Sequence, residues 1–139
     1  MDFVTGPDGM LTEPYLHDGA VLGVRLVDKT ALHVNVQTAD GQPFELVLAG
    51  LQRLRCDGFA EANTIYSVEI VRNTAARLEL LYRLVGEPPA KEPYRTRHDE
   101  WMAELNSDLS AGRLVLVSLE PSYGCAILAL CETVRIDAG

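Results

Sequence analysis

Apolar and polar residues alternate with a period of two through three stretches between Val21 and Ala49, each joined to the next by a tight turn. That is the pattern of antiparallel strands covered on one side only. Leu22, Val24 and Leu26 share one face, as do Leu32, Val34 and Val36, and then Phe44, Leu46 and Leu48. Arg25, His33, Asn35, Gln37 and Glu45 point the other way. The spacing predicts a first strand from Ala20 to Val27, a turn at Asp28 and Lys29, a second strand from Thr30 to Thr38, and a third from Pro43 to Ala49. Asp40-Gly41 supplies the backbone freedom that a tight hairpin needs, so the segment reads as a β-meander.

Downstream the pattern is less even. Leu51, Leu54 and Phe59 lack a clean period and Asp57-Gly58 marks a turn, which fits a short fourth strand. From Thr64 to Arg72 the β-branched Ile65, Val68, Ile70 and Val71 predict another strand, with a bulge at the slip between Ile65 and Val68. Residues 77–85 carry two periods at once: Leu78, Leu80, Tyr82 and Leu84 alternate as in a strand, whereas Leu78, Leu81, Tyr82 and Val85 match a helix. Pro88, Pro89 and Pro93 make 87–95 a stiff, irregular connection.

A helix is expected over 97–111, with Thr96 as its cap, Asp99 and Glu100 at the positive end of its dipole, and Gly112 as its stop. Its stripe of Trp101, Met102, Leu105 and Leu109 needs an apolar cover, and the apolar face of the meander is the expected one. The chain closes with a strand from Arg113 to Glu120 that is apolar on both faces, a turn over Pro121-Ser122-Tyr123-Gly124, and a return strand from Cys125 to Ile136. The expected fold is α+β, mainly β: one domain over residues 1–139. It is a strongly twisted antiparallel sheet or half-closed barrel of about seven strands with one packed helix, preceded by an irregular arm over residues 1–18.

Composition narrows the class. Hydrophobic residues at 47% with 23% charged exclude a fully disordered chain. No apolar run approaches the roughly 18 residues that cross a bilayer, and Met1 to Tyr15 lacks the basic start and apolar stretch of a secretory signal, so a soluble cytoplasmic protein is expected. The net charge of -8 repels phosphate backbones and anionic lipid, which argues against nucleic acid and membrane as partners and favours a basic protein. Cys56, Cys125 and Cys131 are odd in number, lack CxxC spacing and read as reduced, buried thiols.

Local signatures of catalysis are missing from the sequence: it has no H-E-x-x-H, CxxC pair, EF-hand loop, G-x-S-x-G, P-loop or G-x-G-x-x-G. His17-Asp18 and His98-Asp99-Glu100 bring ligand-type side chains together, yet neighbours on a helix diverge by about 100 degrees and do not converge on one ion, so neither a metal nor a cofactor is expected. Glu120 and Glu132, flanked by apolar strands, read as strand-end or bulge residues rather than as an acid–base pair. An alternative site sits at the 121–125 turn, where Tyr123 and Cys125 would act with His17, His33 or His98 as base. Against it, Cys125 begins an apolar strand, where a free cysteine behaves as a small hydrophobe. His33 lies on the polar side of its strand, within reach of Glu45 on the next.

The run Leu16-His17-Asp18-Gly19, the strands after it, Leu46-Val47-Leu48-Ala49-Gly50-Leu51, Asn63-Thr64-Ile65 and the Pro121-Ser122-Tyr123-Gly124 turn resemble small bacterial β-rich proteins that include immunity-like members of toxin systems. The resemblance spans about two thirds of the chain and carries over no catalytic or binding residue. It implies a binding role rather than catalysis, with an acidic protein neutralising a basic partner. The functional expectation is therefore a non-enzymatic protein-binding module whose contact residues are Arg25, His33, Asn35, Gln37 and Glu45. The alternatives are a small-molecule binder or enzyme at the 121–125 turn and a structural homodimer that buries an unpaired sheet edge against its copy.

Overall fold

The computed structural model describes residues 2–139. In chain order it has β1 (Val4–Thr5), β2 (Leu11–Glu13), β3 (Ala20–Val27), β4 (Ala31–Gln37), β5 (Pro43–Ala49), β6 (Arg53–Asp57), β7 (Thr64–Val71), α1 (Leu78–Val85), α2 (Tyr94–Ser110), β8 (Val115–Tyr123), β9 (Ala126–Cys131) and β10 (Thr133–Ala138). The chain is mainly β, 45% strand and 18% helix. An antiparallel sheet of eight strands runs β10-β5-β4-β3-β7-β8-β9-β6, and β1 and β2 form a separate pair within the N-terminal arm. The sheet curls but does not close, and β10 and β6 remain its edges. No helix among the described residues is long and apolar enough to cross a membrane.

The curl comes from one corner. β5 pairs with β10 and β6 pairs with β9, so residues 43–57 and 126–138 form two bent runs lying side by side. The bend falls at Gly50 on one run and Glu132 on the other, where Glu132 N–H donates to Ala49 O at 3.0 Å and Gln52 N–H to Leu130 O at 2.8 Å. Gly50 holds φ +67, and a Cβ there would lie 2.7 Å from the Glu132 side chain, so the corner admits no larger residue without a shift. The return strand expected from Cys125 to Ile136 is split here into β9 and β10.

Curling brings the inner faces of both halves of the sheet together. Leu32, Val34, Val36, Leu46 and Leu48 of the meander share one apolar cluster with Val115, Val117, Leu119, Ile127 and Ala129 of the opposite half. The helix stripe therefore does not cover the meander, contrary to the sequence expectation. Met102, Leu105 and Leu109 pack instead with Leu114, Leu116, Leu128 and Leu130, on the outer face of β8 and β9. Both strands are apolar on both faces, and each face has its own cover.

Other differences have local causes. Residues 77–85 are helical: Leu80, Leu81 and Leu84 form a one-sided stripe that joins the second cluster, while Leu78, common to both sequence patterns, is exposed. α2 starts at Tyr94 rather than 97, with Pro93 at its N-cap; Thr96 lies inside the helix and does not cap it, its N–H (3.3 Å) and Oγ1 (2.7 Å) donating to the Glu92 carboxylate. β8 runs through Pro121 and Ser122 to Tyr123, since Pro121 sits at a bulge where no ladder N–H is needed. The bulge expected in β7 is there, with Tyr66 the extra residue between Ile65 and Ser67. In β3 the register slips between Val21 and Gly23; Val21 takes the core position, and Leu22 is 56% exposed.

These placements separate core from surface at chemically similar residues. Leu109→Ala, in the second cluster, should lower the unfolding free energy by about 2–5 kcal/mol. Leu22→Ala should change it by no more than about 0.5 kcal/mol. Urea denaturation of the two variants measures both, and equal losses would contradict the assignment of Leu22 to the surface.

Candidate interaction surface

The side chains singled out on the meander share one surface. Arg25 stands opposite His33, Asn35 opposite Glu45, and Gln37 opposite Pro43, all on the face turned away from the inner core. Both helices pack on the other half of the sheet and leave this face open. His33 Nδ1–H donates to Glu45 Oε1 at 3.2 Å, which fixes the ring at the centre of the face. β10 extends the surface by placing Asp137 beside Glu45 and Arg135 beside Val47, with Arg135 Nε donating to Asp137 Oδ2 at 2.8 Å. Arg25, His33, Val47 and Arg135 thus form one row across the four strands, and Asn35, Glu45 and Asp137 form the next. Val47 is buried on this face although it belongs to neither apolar cluster, flanked in the ladder by His33 and Arg135. Reasoning from sequence missed Arg135 and Asp137; the alternation with Val134 and Ile136 was visible, but not the pairing of that strand with β5.

The surface ends at an unsatisfied strand edge. β3 pairs with β4 along its length but with β7 only at Ala20 and Thr64, next to the bonds Val21 N–H to Asn63 O (2.8 Å) and Ile65 N–H to Gly19 O (2.9 Å). Beyond that point the two strands part. The N-terminal arm takes the edge of β7, where Met10 bridges to Glu69 and Ile70 N–H donates to Gly9 O at 2.8 Å. Among the described residues no strand pairs with the outer edge of β3 from Leu22 to Val27. Leu22 and Leu26 lie along this edge, each more than half exposed.

The 121–125 turn has a different character. Tyr123 is exposed and its hydroxyl donates to Glu61 Oε1 at 2.9 Å; a backbone hydrogen bond, helped by the one from Tyr123, holds the Glu61 carboxyl below its usual range. Cys125 is 1% exposed, and burial, reinforced by Cys56, pushes its thiol up to about 12. Cys131 is pushed up to about 12 by burial and by Glu132. No histidine hydrogen-bonds to Cys125: His17 donates to Tyr66 O at 2.7 Å, His33 to Glu45, and His98 Nε2–H to Gly86 O at 2.9 Å. A thiol neutral at physiological pH and without a base is a poor nucleophile. Cys56 departs from the sequence expectation, being exposed rather than buried.

The residue that organises this turn was not singled out by its chemistry. Asn63 is buried; its Oδ1 accepts from Ala60 N–H (2.9 Å) and Cys125 N–H (3.0 Å), and its Nδ2 donates to Ala60 O (3.0 Å). Gly124 allows the approach, since at φ +88 a Cβ would lie 2.5 Å from Asn63 Oδ1. Near the arm, an open groove of ≈ 410 Å³ is lined by Met10, Leu11, Tyr15, Leu16, His17 and Tyr66, an aromatic and aliphatic wall to which Thr12 and Ser67 add hydroxyls.

Asn63→Ala should unpair two backbone N–H groups at the seam of β3, β7 and β9, each costing about 1–3 kcal/mol where burial persists. The loss should appear in urea denaturation, together with faster amide exchange at Ala60 and Cys125; unchanged exchange at Cys125 would remove Asn63 from this role. No family model, curated protein or solved structure matches the chain.

Proposed function

We propose that this protein is a non-enzymatic binding module that engages another protein through the outer face of β3, β4, β5 and β10 and the free edge of β3. The observation that carries this reading is the unpaired run from Leu22 to Val27. A strand edge presents alternate N–H and C=O groups to whatever can pair with them, and folded proteins usually blunt such edges. Here Arg25 is the single charged residue between Leu22 and Leu26, and two exposed leucines flank it. An incoming strand would satisfy the backbone, cover Leu22 and Leu26, and reach the polar face beside them, the mode known as strand addition.

Charge supplies the partner's sign. At a net charge of -8 the chain attracts a basic protein at long range. At short range the row holding Arg25 and Arg135 beside the row holding Glu45 and Asp137 fixes orientation rather than adding raw affinity. A basic protein neutralised by this chain, as immunity-like proteins neutralise toxins, fits both features. The same edge also supports a second reading, a homodimer: antiparallel pairing about Val24 sets Leu22 of one copy against Leu26 of the other and avoids facing Arg25 with itself.

The test uses the full chain as bait in an extract of its source. The wild type should retain a basic protein, and Leu22→Lys/Leu26→Lys and Arg25→Glu should each weaken that binding at least about tenfold with thermal melting unchanged, because the altered side chains are exposed. Raising the salt should slow association. Equal binding by all three proteins, or a purified chain that carries a small molecule and retains no protein, overturns the reading. Light scattering over a dilution series decides the homodimer: a dimer that dissociates on dilution and is lost in the leucine variant supports it, and a monomer at every concentration eliminates it.

A further inference from the structure

Two of the three cysteines, 69 positions apart in the chain, meet in the fold: Cys56 Sγ lies 3.6 Å from Cys125 Sγ. The pairing of β6 with β9 explains the encounter. Cys56 is opposite Ile127 and Asp57 opposite Ala126, so Cys56 and Cys125 are diagonal neighbours across the two strands. Their surroundings differ sharply. Cys56 is exposed on the edge strand, whereas Cys125 is buried and its backbone N–H is held by Asn63. Cys131 is buried elsewhere in the core and its Sγ donates weakly to Val115 O.

We propose that Cys56 and Cys125 form a redox-active dithiol, a site for reversible oxidation by small disulfides such as glutathione disulfide. Cys56, the thiol that solvent reaches, attacks the incoming disulfide; a mixed disulfide forms at Cys56 and one glutathione thiolate leaves. Cys125 cannot meet an external disulfide but already touches Cys56. It gives up its proton and displaces the second glutathione thiolate, and the Cys56–Cys125 bond forms. The protein loses two electrons and two protons, and one glutathione disulfide becomes two glutathione thiols. Because burial holds the Cys125 proton tightly, the second step is the slower one and quickens as pH rises.

The bond would act on the sheet at a defined place. β6 is an edge strand whose ladder partner is β9 alone, and its other ties are side-chain ones: Arg55 Nη1 donates to Arg83 O at 3.0 Å and the Arg53 guanidinium lies 5.0 Å from the centre of the Trp101 ring. A Cys56–Cys125 disulfide would staple β6 to β9 covalently and close a long loop in the unfolded chain, raising the melting temperature of the oxidised protein.

The experiment equilibrates the full chain in glutathione buffers of graded ratio, quenches with an alkylating agent under denaturing conditions, and maps the products by mass spectrometry. Wild type and Cys131→Ser should lose the two thiols of Cys56 and Cys125, yield a peptide pair joined through these residues, recover both thiols in dithiothreitol, and melt at a higher temperature when oxidised. Cys125→Ala should stop at the glutathione adduct on Cys56, and Cys56→Ser should not react. Peptide mapping on the wild type keeps the test decisive even where a variant fails to fold. The proposal is overturned by a wild type that stops at the Cys56 adduct at every pH, by oxidation that links Cys56 to a second copy, or by oxidation without a rise in melting temperature.

Discussion

Burial of both faces of β8 and β9 is the constraint from which the rest of the architecture follows. Leu114, Leu116, Leu128 and Leu130 project to one side, and Val115, Val117, Leu119, Ile127 and Ala129 to the other. At about 25 cal/mol per Å² of apolar surface, leaving either set in water would cost several kcal/mol, a large share of the net stability of a domain this size. Two covers are therefore required. The helices provide one, and the far half of the same sheet provides the other by curling over at the Gly50 and Glu132 corner. With both helices engaged behind β8 and β9, neither is left for the outer face of the meander.

The open face is thus a consequence of core economy, and the free edge of β3 has a related cause. A strongly twisted sheet of this size tends to curl or split rather than stay flat and continuous. Here the opening falls between β3 and β7, where pairing is limited to Ala20 and Thr64. The arm blunts the edge of β7 through Met10 and Gly9 but leaves that of β3. Elsewhere, the buried thiols are pushed up to about 12, and the histidines donate to Tyr66 O, Glu45 and Gly86 O.

Periodicity conveyed much of the secondary structure because each strand carries its own pattern of two. The turn at Asp28 and Lys29, the bulge in β7 and the polar set Arg25, His33, Asn35, Gln37 and Glu45 were all legible for that reason. Legibility failed where the deciding interaction was distant. Leu22 and Val21 are both apolar, and only the register with Val36 and Asn35 decides which enters the core. In residues 77–85 the two periods compete, and packing of Leu80, Leu81 and Leu84 on β8 and β9 selects the helix. Thr96 stands where a cap is expected for a helix from 97, but α2 starts earlier with Pro93 at its N-cap, and Thr96 donates to Glu92 from inside the helix.

The sequence by itself determined a mainly β chain with a three-stranded meander, a helix ending at Gly112, a doubly apolar closing pair of strands, and a polar set on one side of the meander. Those properties depend on contacts within a few residues, where alternation and turn chemistry operate. Only the tertiary structure decided what covers what: that the meander is capped by the other half of its own sheet, that the helices lie behind β8 and β9, that β3 keeps a free edge, and that Cys56 meets Cys125. An apolar stripe specifies that it must be buried but not against which partner, because the hydrophobic effect has no direction. Partner choice was settled by the register of strands dozens of residues apart and by a corner that bends two of them together.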